Sequence, residues 1–184
     1  IVLGPIFGND FQAIHSYQLS PVLLDDNSLR ELIACARQNK FPSRPINVHV
    51  MVNTGMNRYG FNPQELLPAL KVIANSPRIQ VDALMTHFQQ AEDDTSRQTQ
   101  RKRFMAIRKK ARQLALAPEA FHLANSAGTI LGNCQKDSAV RPGIAMYGLD
   151  PDGQFSACGL ELKPALSVKA TLAHIRAVSK GGNI

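Results

Sequence analysis

The chain has 184 residues, 44% of them hydrophobic, and a formal charge of +7, which suits one substantial core with a small appendage. No apolar run approaches the roughly 20 residues of a membrane span, and no basic region followed by a signal core is present. Cys35, Cys134 and Cys158 are odd in number, far apart and without C-x-x-C spacing, which argues against a disulfide framework and a zinc site, predicts no metal, and fits a reducing cytoplasm.

Taken in chain order, Ile1-Val2-Leu3-Gly4-Pro5 reads as the interior of a buried strand, and a second strand is expected over Leu19 to Leu24. With Ile at position 1 and Gly181-Gly182-Asn183-Ile184 at the other end, the chain is expected to be part of something longer. Asp26 or Asn27 is placed to cap a helix with Leu29, Leu32, Ile33 and Ala36 as its inner stripe. Ile46 to Val52 is the third strand and runs into a tight turn over Asn53-Thr54-Gly55-Met56-Asn57-Arg58-Tyr59-Gly60-Phe61, from which Arg58 emerges near the strand ends. Asn62-Pro63-Gln64-Glu65 then starts a helix, with Pro in its favoured first position, and Leu66, Leu70 and Ile73 repeat on one face.

Val81 to Phe88 is the fourth strand and closes on Thr86-His87-Phe88. Glu92, Asp93 and Asp94 precede an amphipathic helix capped by Thr95, with Phe104, Ile107, Ala111 and Leu114 inside. Its outer face carries Arg97, Arg101, Lys102, Arg103, Arg108, Lys109, Lys110 and Arg112. That distribution makes the charge a solvated helix face; without aromatic interleaving or a recognised binding motif, it argues against a nucleic-acid partner. Ala120 to Ala124 is the fifth strand and delivers Asn125 and Ser126 just where a helix begins. Val140 to Leu149 is the sixth, with Arg141 and the close-approach Gly143 at one end.

Strand-like runs with helical segments between them favour a parallel α/β sheet. Six strands are too few to close an eight-stranded barrel, so the reading is a partial (β/α)8 TIM barrel whose first two strands lie before residue 1. An open doubly wound sheet is the alternative. Leu162 to Ile175 alternates like an antiparallel strand, so residues 1–150 are expected to form the barrel domain and 151–184 the start of a mainly β C-terminal domain. On this fold Arg58, His87, Ser126 and Arg141 all fall at the C-terminal ends of consecutive strands. That is the face where barrels gather catalytic groups and hold phosphates on backbone amides. His15 lies on a helix-like segment, and His49 and His122 sit inside strands, so they stand apart from this group.

The segments N-T-G-M-N-R-Y-G-F (53–61), T-H-F (86–88), Gln100, Phe104, A-N-S-A (124–127) and V-R-P-G-I-A-M-Y-G-L (140–149), in order across the chain, resemble bacterial alanine racemase. The resemblance implies a barrel that binds pyridoxal 5'-phosphate, a β domain that helps form the active site of a partner subunit, and therefore a homodimer. It implies that Ser126, beside Asn125, and the backbone around Gly143 and Ile144 hold the cofactor phosphate. Arg141 would hydrogen-bond to the pyridine nitrogen, His87 would support that arginine, and Arg58 would lie near the cofactor phenolic oxygen and the substrate carboxylate. A guanidinium loses its proton only above about pH 12, so it does not readily protonate the ring. The ring is then a weaker electron sink, which favours simple proton removal and return over transamination.

The family also uses a Schiff-base lysine after the first barrel strand and an opposing tyrosine from the other subunit's C-terminal domain. Neither region is in this sequence, and Lys40, Lys71 and Lys136 fall on helices or loops, so this chain alone is not expected to racemise anything. Two positions depart from the family pattern: Asn53 stands where Asp is usual, and Met51 where a lysine, commonly carbamylated, orients the arginine at 58. The expected parent activity is interconversion of L- and D-alanine for peptidoglycan, in the cytoplasm and without a membrane partner. Racemisation of serine or another small amino acid, a non-catalytic pyridoxal-phosphate carrier, and a basic nucleic-acid-binding module are the alternatives.

Overall fold

The structure, a computed structural model, describes residues 1–7, 10–37, 44–132 and 134–182; Lys40 lies outside them. Helix α1 (Asp10–Ser16) seats Phe11 and Ile14 in the core. Strand β1 (Val22–Leu23) leads into α2 (Asp26–Arg37). That helix is capped by Asp25, whose Oδ1 accepts from Ser28 N at 2.8 Å while Ser28 Oγ donates to the Asp25 carbonyl at 2.7 Å. Asp26 and Asn27, the caps expected, lie in the first turn; Asp25 takes the role because Ser28, three residues on, closes the reciprocal pair.

Strand β2 (Ile46–Met51) ends in the turn that carries Arg58. Gly60, at φ +109°, lets this turn fold back, because a Cβ there would lie 2.6 Å from Asn53 N and 2.8 Å from Val52 C. Helix α3 (Pro63–Ala74) starts as its sequence predicts, with Pro63 first and Glu65 Oε2 accepting from Asn62 N at 2.8 Å. Strand β3 (Ile79–Met85) and helix α4 (Asp94–Gln113) follow. The cap of α4 is Asp93, which accepts from Ser96 N at 2.8 Å; Thr95 sits one residue inside the helix. Strand β4 (Ala120–His122), helix α5 (Ser126–Ile130), a 3-10 turn (Ile144–Tyr147) and helix α6 (Gln154–Ala157) complete the elements.

The sheet has the order β1-β2-β3-β4, all parallel. Buried residues of α1 to α4 join Leu23, Val48, Val50, Leu84 and Phe121 in one core. The other sheet face carries a small cluster of Val22, Leu24, Met51 and Met85. Consecutive strands with their helices packed on one face describe part of a singly wound barrel, not the doubly wound sheet held as the alternative, which covers both faces.

Three expected strands are corrected. The first run makes one parallel bridge, Val2 to Pro21. In the sixth, Ser138 N donates to Phe121 O at 2.8 Å and Arg141 N to Ala124 O at 2.9 Å, so the chain lies alongside β4 only up to Arg141. Pro142 has no N–H to extend a ladder. Residues 144–147 instead coil into the 3-10 turn, capped by Gly148 at φ +79°, where a Cβ would lie 2.1 Å from the Lys163 carbonyl oxygen. The alternating segment 162–175 also forms no strand, and Leu166, Val168, Leu172 and Ile175 are exposed. Alternation meets one requirement of a strand; a neighbouring ladder is the other, and none lies beside this segment among the described residues.

Candidate functional site

The C-terminal ends of β2, β3 and β4 and the segment beside β4 surround Arg141. Its Nη2 donates to the carbonyls of Thr86, at 2.6 Å, and Leu123, at 3.0 Å. Its Nη1 donates to His122 Nδ1. The buried Nε has no hydrogen-bond partner among the described residues. Burial lowers the Arg141 pKa to about 10, against an opposing effect of Asp137, which still leaves a cation at neutral pH. The guanidinium is therefore fixed on two sides, with the buried Nε–H and one Nη1–H to spare.

His122, on β4, is buried and its Nε2 lies 2.7 Å from Nδ1 of buried His49 on β2. Burial foremost, then Arg141 and His49, push the His122 pKa down to about 3; burial also lowers that of His49, against the raising effect of Asp82. Both imidazoles are neutral at physiological pH. His87, expected to support Arg141, is half-buried and pushed down to about 4 by burial, then Arg141, then Arg58. It feels both guanidinia through the local field, while the imidazole bonded to Arg141 is that of His122.

Beside this cluster, Ser126 is buried at the first position of α5, and its Oγ accepts from Gly143 N at 2.8 Å and Ala145 N at 3.3 Å. Two donors on the oxygen leave the hydroxyl hydrogen to be given elsewhere. Asn125 caps α5, its Oδ1 accepting from Gly128 N at 2.9 Å. Gly143 and Ile144 are exposed, and a Cβ at Gly143 would meet nothing within 4 Å. The loop that carries Ser126 and receives Arg141 is tied down by Asp137. The fully buried carboxylate of Asp137 accepts from Leu123 N at 2.9 Å and Ala124 N at 3.3 Å, and pairs with Arg101 at 3.0 Å.

On the other flank, Gln100 Nε2 donates to Thr54 Oγ1 and to the His87 carbonyl, each at 3.1 Å. Thr86 Oγ1 donates to Val52 O at 2.7 Å, so the 2.8 Å contact between the two threonine hydroxyls runs from Thr54 to Thr86. This chain of bonds joins the ends of β2 and β3 to α4. Arg58 is exposed on the turn after β2, its guanidinium 5.7 Å from the centre of the Tyr59 ring. Met51, below it, is buried with Val22, Leu24 and Met85.

His122 and His49, which their positions inside strands set apart from the site in the sequence, are joined to Arg141 in the structure, and Asp137 is a further site residue. Period-2 alternation places the histidines in strands without saying which strands lie side by side, and Asp137 sits in a loop with no signal of its own. Several arginines of the basic helix are engaged internally: Arg101 by Asp137, Arg103 by the Thr54 carbonyl at 3.1 Å, and Arg112 by Glu119 at 2.5 Å. Among the described residues no group of His, Cys, Asp and Glu is placed to hold a metal ion, and no helix is long and apolar enough to cross a membrane.

A family profile described as alanine racemase, N-terminal domain, matches residues 1–151. An alanine racemase of Sorangium cellulosum is 30% identical over 100% of this chain and 48% of its own length. One from Thermodesulfovibrio yellowstonii is 33% identical over 96% of this chain and 45% of its own. The chain thus spans about half the length of the curated relatives it matches. The crystal structure of alanine racemase from Bacillus anthracis with bound L-Ala-P superposes with a TM-score of 0.75 at 27% identity, covering 89% of this chain and 42% of that one. The family depends on pyridoxal 5'-phosphate. With the profile matched from residue 1 to 151 and the singly wound parallel sheet described above, the chain belongs to the alanine racemase family.

Proposed function

We propose that this chain is the cofactor-holding barrel part of a pyridoxal-phosphate-dependent alanine racemase that interconverts L- and D-alanine. The observation that carries the reading is the buried, unpartnered Nε–H of Arg141, because an unmatched buried donor calls for an acceptor and an unprotonated pyridine nitrogen is one. When bound, the cofactor supplies a sink for the electrons left at the substrate Cα as its proton departs.

Arg141 donates to the ring nitrogen and keeps its own proton, since its pKa, lowered to about 10, stays above neutral pH. By not protonating the ring it limits the sink and favours return of the proton over side reactions. Ser126 would give its remaining hydroxyl hydrogen to the cofactor phosphate, with the exposed backbone at Gly143 and Ile144 alongside. Asn125 caps α5 and so fixes the turn from which Ser126 projects. His87 stays neutral beside the two cations, Arg141 and Arg58, and its backbone carbonyl is held by Gln100. Arg58 offers its exposed guanidinium to the substrate carboxylate. The same proposal makes the enzyme a cytoplasmic homodimer that supplies D-alanine for peptidoglycan, with residues 1–150 as the barrel domain and 151–184 leading into a mainly β domain.

The test is a coupled D-alanine assay on the complete enzyme supplied with pyridoxal phosphate, run with L-alanine and L-serine in parallel. Turnover of alanine, lost on Arg58→Ala, is the expected result. Absence of any amino-acid racemisation would overturn the proposal, and turnover of serine alone would overturn its substrate.

A further inference from the structure

His49 and His122 lie on strands separated by β3, yet their rings meet, with centroids 5.0 Å apart and planes tilted by 57°. Register explains how. His49 stands opposite Ala83 and His122, two residues further along, opposite Met85, so the two imidazoles meet on the diagonal, on the side of His49's small neighbour Ala83. The pairing shifts between Val48, opposite Val81, and His49, opposite Ala83. The residue left over, Asp82, makes a bulge that brings the small Ala83 to this level.

One fixed point assigns every proton along the line. A guanidinium has donors only, so His122 Nδ1, bonded to Arg141 Nη1, carries no hydrogen. His122 is neutral, so its one ring proton is on Nε2, and the 2.7 Å contact is a donation from His122 Nε2 to His49 Nδ1. Neutral His49 then holds its own proton on Nε2. The relay has a direction: Arg141 to His122 to His49. Without the acceptor at His49, His122 faces two poor choices. It either buries an unsatisfied Nε2–H, or moves the proton to Nδ1 and points a donor at the arginine's donor. Both loosen Arg141.

We propose that His49 is a positioning residue for Arg141: by accepting the Nε2 proton of His122, it locks the tautomer that holds the guanidinium in place. Only the identity of what Arg141 holds rests on the proposed function; the relay itself belongs to the cofactor-free chain.

The experiment is nitrogen-15 NMR of the imidazoles of the complete enzyme, unaltered and as His49→Gln and His49→Leu, with pyridoxal phosphate titrated into each and followed by absorbance. The unaltered chain should hold both histidines in the neutral Nε2–H form. Gln restores an oxygen acceptor and should preserve the His122 tautomer and the cofactor affinity. Leu, of similar volume, should give mixed His122 tautomers and weaken cofactor binding about tenfold, the usual scale for losing a hydrogen bond to a charged network. A destabilisation shared by both variants would report packing alone. Finding His122 with its proton on Nδ1 in the unaltered chain, or identical tautomers and affinities in both variants, would overturn the proposal. The first of these readings needs no variant, so it decides even if His49→Leu does not fold. Tautomers that behave as expected in a chain that binds no pyridoxal phosphate would uphold the relay and refute the cofactor reading instead.

Discussion

Replacing Asp137 with Ala should loosen the site at its anchor. The carboxylate accepts two backbone amides, Leu123 N at 2.9 Å and Ala124 N at 3.3 Å, and both residues are buried, at 0% and 1% exposure. Each stranded buried amide costs about 1–3 kcal/mol, with the longer bond at the low end. The ion pair with Arg101, whose side chain is 25% exposed, is partly replaced by water and adds about 1 kcal/mol or less. The sum, about 3–5 kcal/mol, is a large share of the roughly 5–15 kcal/mol of a typical domain. With a urea slope of roughly 2 kcal/mol per molar, the midpoint should fall by about 2 M. Asp137→Asn keeps one oxygen for the amides but turns an NH2 towards Arg101, so it should fall between the two. Amide hydrogen exchange at Leu123 and Ala124 should accelerate in parallel. A loss under about 1 kcal/mol with unchanged exchange would refute the reasoning, because it would mean those amides find water without the carboxylate.

Two glycines of the site should behave oppositely. Gly60→Ala meets both φ +109° and a 2.6 Å approach to Asn53 N, so backbone strain alone should destabilise by about 1–3 kcal/mol in thermal melts. Gly143→Ala, at φ −118° with nothing within 4 Å of the new Cβ, should leave stability within about 0.5 kcal/mol while weakening pyridoxal-phosphate binding; unchanged binding would remove Gly143 from the cofactor site. Stability should also fall with acid. His122 and His87 have folded pKa values near 3 and 4, below their ordinary 6.5. The unfolded chain therefore takes up protons below pH 6.5 that the folded chain refuses. Stability is complete above pH 6.5 and declines as pH falls towards those values, by up to about 1.4 kcal/mol per pH unit for His122 and less for half-exposed His87. Urea melts between pH 7.5 and 5 read this before most carboxylates titrate, and a flat profile there would show that these histidines titrate normally.

Much of the fold was legible because β2 and β3 set apolar residues at alternate positions, as strands with a buried face do, and because Pro63 and Glu65 mark a helix start chemically. The strand read over Val140 to Leu149 failed on backbone chemistry: Pro142 ends the ladder and Gly148 caps a turn, and apolar composition registers neither. The helix caps at Asp25 and Asp93 fell one or two residues from those expected, since several acidic residues compete and only the Ser28 and Ser96 amides decide between them. Of the site, Arg141 and Ser126 were visible as polar groups at strand ends. The His49–His122 pair was invisible because it depends on Ala83 being small and in register, a fact that belongs to three strands at once.

The two departures from the family pattern become one local arrangement once Asn53 is followed atom by atom. Its Oδ1 accepts from Gly55 N at 3.1 Å and Asn57 N at 3.2 Å, which fixes the amide's orientation and sends Nδ2 to Asn57 Oδ1 at 3.0 Å and Asn62 Oδ1 at 3.2 Å. An aspartate has no donor for those two oxygens, so with Asn57 and Asn62 in place, Asn at 53 is the residue the turn requires. The turn is thus held by neutral amides, and the position beneath it, Met51, is closed by Val22, Leu24 and Met85, where an anion would lose its hydration without compensation. Among the described residues, the Arg58 guanidinium has the Tyr59 ring at 5.7 Å, a contact worth about 0.5–1 kcal/mol at an exposed site. Under the proposed function, a substrate carboxylate must therefore order Arg58 as it binds. The exchange of lysine for methionine at 51 then acts on substrate affinity, while the groups proposed to hold the cofactor, Arg141 and Ser126, are anchored separately by His122 and Asp137 and keep their geometry.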